Sequence, residues 1–86
     1  MTRTEIFNEL KEILIAEDDR NRSLIDGCTE ETGLVDELGL NSVGILYLVI
    51  SIEETFEIRF ENAGIQDFRT VGDVIDYIEK KLEEKG

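Results

Sequence analysis

Three stretches of the chain return apolar residues with a helical period. In the first, Ile6, Phe7, Leu10, Ile13 and Leu14 fall at i, i+1, i+4, i+7 and i+8, which is one helix face. Thr2 and Glu5 have capping-box spacing ahead of it, although Thr4 is an equally good cap by residue type. The last stretch is headed by Thr70 with Asp73 three residues on, and its stripe is Val71, Val74, Ile75, Ile78 and Leu82. Lys80, Lys81 and Lys85 gather near its C-terminus, where the helix dipole favours cations. The middle stretch starts from Asn41, a strong N-cap type, and runs to about Phe56. Ile45, Leu48, Val49, Ile52 and Phe56 supply its core stripe.

That middle helix has a second apolar stripe, Val43, Leu46, Tyr47 and Ile50, at i, i+3, i+4 and i+7. A helix apolar on two sides is either central and buried nearly all round, or exposes a face that a partner covers. Three long helices are too few to enclose it, so an exposed partner surface is the expected arrangement.

The connection over residues 17–40 is long for a small domain and needs internal anchors. Leu24, Ile25, Leu34, Val35 and Leu38 are expected to dock on the bundle, around Gly27, Gly33 and Gly39. Between Phe56 and Thr70 there is room for a short helical turn at 63–67, with Ile58, Phe60, Ile65 and Phe68 pointing inward. No alternating run bounded by hairpin turns is present. The pattern predicts one all-α domain over residues 1–86, with three main helices, a short fourth and a long first loop.

Composition narrows the function. The 86 residues allow one modest core, and 41% hydrophobic content supports a folded chain against 35% charged residues. The net charge of −12, from 21 acidic and 9 basic residues, opposes binding to nucleic acid or to an anionic membrane and favours basic protein partners. No apolar run approaches the ~18 residues of a membrane span. The amphipathic, acid-bearing start is unlike a secretory leader. One cysteine, Cys28, cannot close an internal disulfide, and with no histidine there is no zinc cluster. A free-standing, monomeric, cytoplasmic protein is the expectation.

Four features invite a chemical reading. Asp19, Asn21, Ser23 and Glu30 sit at positions 1, 3, 5 and 12 of a calcium-loop pattern, but Leu24 stands where that loop needs glycine, and Arg20 and Arg22 intrude. A solvated polar loop is the better reading. The pairs Asp36/Glu37 and Glu53/Glu54 lack the histidine, metal or aromatic company of acid–base catalysis and read as solvated carboxylates. Cys28 has no basic neighbour in sequence to activate it, so it reads as a small packing residue. Ser42 is different. It follows the Asn41 cap, where free N–H groups and the positive end of a helix dipole would stabilise an attached phosphate. With no histidine, and with Lys11 and Lys80 distant in sequence, it is not a self-activated nucleophile. If it reacts, another enzyme activates it.

The stretch LVDELGLNSVGILYLVISIEETFEI, residues 34–58, resembles the acyl carrier protein family. The family's acid-rich turn appears as Asp36-Glu37-Leu38-Gly39, its Asp-Ser-Leu triplet as Asn41-Ser42-Val43, and its Glu-Glu-x-Phe ending as Glu53-Glu54-Thr55-Phe56. The likeness continues through Phe68, Thr70 and Val71 to Tyr77 and Ile78. It implies a four-helix bundle in which Ser42 carries 4′-phosphopantetheine, installed from coenzyme A by a Mg²⁺-dependent phosphopantetheinyl transferase. The arm would hold acyl groups as thioesters for enzymes of fatty acid or polyketide-type biosynthesis, and the protein itself would catalyse nothing. It also implies basic partner patches that grip the second long helix; here that helix keeps acids only at its end, Glu53, Glu54 and Glu57, and presents Val43, Leu46, Tyr47 and Ile50 as the docking surface instead. The chain departs from the family at Asn41 for aspartate, Gly44 for an acid, Tyr47 for glutamate and Glu61 for a common proline. Those departures suggest a specialised carrier with an apolar docking face. An aminoacyl or peptidyl carrier, and an unmodified acidic interaction module of the same fold, are the competing readings.

Overall fold

The structure, a computed structural model, describes residues 2–17, 19–60 and 68–85. Its elements are α1 (Arg3–Glu17), a 3-10 turn (Asp19–Asn21), α2 (Arg22–Asp26), α3 (Ser42–Phe56) and α4 (Val71–Lys85). Each long helix begins at a side-chain cap. For α1, Thr2 N donates to Glu5 Oε1 at 2.8 Å and Glu5 N donates to Thr2 Oγ1 at 3.2 Å, so Thr2 and not Thr4 is the cap. The bond donated by the Thr2 backbone N–H holds the Glu5 carboxyl below the usual range. For α4, Asp73 N donates to Thr70 Oγ1 at 3.2 Å, and Asp73 Oδ2 accepts from Thr70 N at 3.2 Å and from Arg69 N at 3.1 Å. Both are the reciprocal boxes the sequence spacing predicts.

The core joins Ile6, Leu10 and Leu14 of α1 to Leu48, Ile52 and Phe56 of α3 and to Val71, Val74, Ile75 and Ile78 of α4. Phe7, Ile13, Val49 and Leu82 are partly buried at its margin. α1 packs against both α3 and α4. Phe60, Phe68 and Tyr77 close one side: Phe60 stacks on Tyr77 at 4.5 Å, and Phe68 meets both rings edge-on.

Two expectations for the long connection need correction. Residues 19–26 are helical rather than loop, and α2 packs on α1. Of the five expected anchors, Ile25, Leu34 and Leu38 are buried, whereas Leu24 and Val35 are exposed. The reason is geometric. Neighbours on a helix point about 100° apart, so α2 can turn only Ile25 toward α1. The turn at 63–67, with Ile65, lies outside the described residues; Ile58 and Phe68 are buried as expected and Phe60 is half-buried.

The connection is stitched to the start of α4. Gly33 pairs with Thr70 in an antiparallel bridge, Leu34 N donates to Arg69 O at 2.9 Å, Val71 N to Thr32 O at 3.0 Å, and Gly72 N to Glu30 O at 2.7 Å. Arg3 adds a second tie, reaching Glu30 Oε1 through Nε at 2.8 Å, Asp76 Oδ1 at 2.7 Å and Glu79 Oε1 at 2.6 Å. Arg3 holds the Glu30 carboxyl below its ordinary range. A group with a depressed folded pKa contributes stability above its unfolded pKa and loses it as pH falls through the folded one. The melting-temperature gap between the native chain and Arg3→Met is therefore expected to narrow as pH drops through the carboxylate range. It should narrow in high salt too, because the Arg3 side chain is 34% exposed and screened. A gap that widens in acid would contradict this tie.

Candidate functional site

Gly39 starts the approach to α3. Its φ of +72° lies in the left-handed region, which glycine enters without the steric cost of a Cβ. Residues 33–40 fold back on themselves: Leu38 N donates to Gly33 O at 3.0 Å and Leu40 N to Leu34 O at 3.0 Å. Asn21 Nδ2 also reaches Leu38 O at 3.3 Å, which ties the turn to the segment before α2. The chain then enters α3 with Asn41 extended as the N-cap, its Oδ1 accepting from Gly44 N at 2.8 Å. Ile45 N makes the first intrahelical bond, to Asn41 O at 2.9 Å. The N–H groups of Ser42 and Val43 lie ahead of that bond and have no acceptor within the helix.

Ser42 is exposed and is the first residue of α3. It lies on a cleft of about 700 Å³. Val35, Leu40, Ile45 and Phe68 give the cleft apolar walls, while Asp36, Asn41, Ser42 and Arg69 supply its polar groups. Phe68 and Arg69 were not legible as site residues. They arrive here through the bridge between Gly33 and Thr70, a contact that no local pattern announces.

The chain has three serines, and their surroundings differ. Ser51 lies within α3, and its hydroxyl donates to Glu17 Oε1 at 3.3 Å. Burial pushes that Glu17 carboxyl up, and the Ser51 hydroxyl partly offsets this. Ser23 belongs to the five-residue α2, whose Asn21 cap makes no side-chain hydrogen bond to it. Ser42 alone heads a 15-residue helix and lines the cleft.

The second stripe of α3 is open to solvent: Val43, Leu46, Tyr47 and Ile50 are 57, 48, 59 and 42% exposed. The fully enclosed middle helix is thereby excluded. From Ser42 to Ile52 the helix carries no charged residue, so this face is apolar and neutral. The acids at the far end differ in role. Glu53 is half-buried, and its Oε2 accepts from Phe60 N at 3.0 Å, fixing the chain after α3. Glu54 is exposed, and Glu57 pairs with Lys85 at 3.5 Å.

The remaining features give no chemistry. Asp19, Asn21 and Ser23 lie in consecutive helical turns, and among the described residues no group of acids and Cys28 is placed to hold a metal ion. Cys28 is buried, which pushes its thiol up, with Lys11 partly opposing the shift. Among the described residues no helix is long and apolar enough to cross a membrane.

Comparison with known proteins identifies the family. A family model described as a phosphopantetheine attachment site matches residues 8–78. The acyl carrier protein of Thermotoga maritima is 37% identical over 81 residues, covering 94% of this chain and 96% of that protein. The acyl carrier protein of Coprothermobacter proteolyticus is 38% identical over 85 residues, covering 99% and 100%. A crystal structure of acyl carrier protein from Thermotoga maritima superposes with a TM-score of 0.84 at 31% identity, over 98% of this chain and 94% of that one.

Proposed function

Because the chain belongs to the acyl carrier protein family, whose members are carriers rather than catalysts, we propose that Ser42 is the attachment point of its covalent 4′-phosphopantetheine. The observation that carries this reading is an exposed hydroxyl at the head of a 15-residue helix, on the rim of a cleft. The residues present fit a phosphodiester. Asn41 satisfies Gly44 N, and the Ser42 and Val43 N–H groups remain for an anion at the positive end of the dipole.

Ser42 needs outside help to react, since the chain has no histidine. Its hydroxyl would give up its proton to the transferase, and the Ser42 Oγ–phosphorus bond would form as the pyrophosphate P–O bond of coenzyme A breaks and adenosine 3′,5′-bisphosphate leaves. The bound arm supplies a terminal thiol on which acyl groups are held as thioesters. The apolar Val35, Leu40, Ile45 and Phe68 line the side of the cleft beside that attachment point.

Delivery follows from the outer face of α3. Val43, Leu46, Tyr47 and Ile50 form the docking surface for the transferase and for acyl-transferring, chain-building enzymes, with Glu54 as its charged end. Desolvation of an uncharged face dominates such docking, and the −12 charge steers the approach of basic partners. An elongation set that relies on acidic contacts along this helix is expected to turn the chain over slowly; a normal rate would count against the apolar face.

Acyl cargo of fatty acid or polyketide-type synthesis is favoured by the acid-rich turn at 36–39 and the acidic surface. Incubation with an acyl-coenzyme A, Mg²⁺ and a broad-specificity transferase is expected to add the arm and its acyl group together. Hydroxylamine should then remove the acyl group and leave the arm. An unchanged mass would sink the carrier reading in favour of the unmodified module. An arm that accepts aminoacyl groups from an adenylating enzyme, and no acyl group, would favour the peptidyl carrier.

A further inference from the structure

Resting on the attachment of the arm at Ser42, we infer that Arg69 is the cation that binds the arm's phosphodiester and directs the arm along the cleft. Among the described residues, Arg69 is the basic residue lining the cleft that Ser42 lines. Its main chain is fixed on both sides: Arg69 N donates to Asp73 Oδ2 at 3.1 Å, and Arg69 O accepts from Leu34 N at 2.9 Å. The main chain at this position is therefore anchored to both α4 and the connection. Among the described residues its guanidinium has no carboxylate within ion-pair distance, although acids outnumber bases 21 to 9 in the chain. Arg3 shows the opposite case, with three carboxylates around it.

The charge balance of the cleft explains why a cation belongs there. Among the described residues Asp36 is the carboxylate on its lining, and an arriving phosphodiester adds a further negative charge to the same walls. Like charges on the walls of one cleft oppose one another. A guanidinium offsets both, and its planar fork fits two phosphate oxygens. The α3 N-terminus supplies donors at one end of the phosphate and Arg69 a full charge from the α4 side of the cleft. Together they would hold the phosphate on the cleft that Phe68 and Ile45 line.

The test uses the full chain, native and with Arg69→Gln, Arg69→Lys and Arg69→Glu, each prepared without the arm and after treatment with coenzyme A and transferase. Peptide mass first locates the arm. The ³¹P chemical shift of the phosphodiester and the melting temperature of each pair of forms are then read at low and high salt. In Arg69→Gln the ³¹P signal should move, and the arm-bearing form should melt roughly 2–5 °C lower relative to its own arm-free form than in the native chain. Arg69→Lys should recover part of that difference, Arg69→Glu should enlarge it, and 1 M salt should erase it. An arm on Ser42 with the same ³¹P shift and the same melting difference in native and Arg69→Gln overturns the role of Arg69 alone. An arm on another residue, or none, overturns the attachment at Ser42 and this inference with it.

Discussion

Ser42→Ala is expected to fold as well as the native chain and to take up no arm. The side chain is exposed and makes no hydrogen bond that the helix needs; the cap is Asn41 Oδ1 on Gly44 N at 2.8 Å. Alanine is the better helix former, so the stability change should stay within about 0.5 kcal/mol. The loss of modification should be complete. Ser51 sits inside α3 against Glu17, and Ser23 sits in a five-residue helix away from the cleft. Intact mass after coenzyme A and transferase treatment, beside a thermal melt, separates the two effects. An arm-sized gain on Ser42→Ala would overturn the assignment, and a large fall in melting temperature would mean that the hydroxyl has a structural role after all.

Gly72→Ala is expected to destabilise the chain by about 1–3 kcal/mol. A Cβ at that position would come within 2.9 Å of Glu30 O and 3.3 Å of Glu30 Cβ. The carbonyl cannot retreat freely, because it accepts the Gly72 N–H at 2.7 Å and belongs to the stitch that continues through Thr32, Gly33 and Leu34. Alanine's preference for the helix is worth about 1 kcal/mol and offsets only part of the clash. Each kcal/mol corresponds to roughly 4–8 °C in a domain of this size. The stitch also holds Arg69, so the cleft wall should loosen with it. Gly44→Ala is the control: its Cβ meets nothing closer than Leu40 Cδ2 at 3.4 Å. A Gly72→Ala melting temperature at or above the native value would contradict the close approach seen between α4 and Glu30.

What was legible in the sequence was local. α1, α3 and α4 each carry a cap and an apolar stripe within one continuous segment, so period and capping type place them to within a residue or two. The exposed face of α3 was legible by a count of what could cover it: two long helices cannot bury both Ile45, Leu48, Ile52 and Phe56 and the stripe around Tyr47. Spacing alone could not choose Thr2 over Thr4, because both offer the same hydroxyl. The connection was harder. Leu24 and Ile25 have equal hydropathy claims, and only the packing of α2 on α1 decides between them. Glu53 read as a docking acid, yet its carboxylate also caps Phe60 N, seven residues away. The cleft was least legible of all, since Val35, Ser42 and Arg69 meet through bonds between segments more than thirty residues apart.

A carrier is defined by where its tether is fastened, so the position of the arm is the quantity to measure. Cleavage after arginine leaves all three serines on one peptide, residues 23–59, and only fragmentation within that peptide distinguishes them. Tandem mass spectrometry of the chain treated with coenzyme A and a competent transferase should put the full mass of phosphopantetheine on Ser42. The same mass on Ser23, on Ser51 or on any other side chain, or a peptide that stays bare while a control carrier is modified, would contradict it.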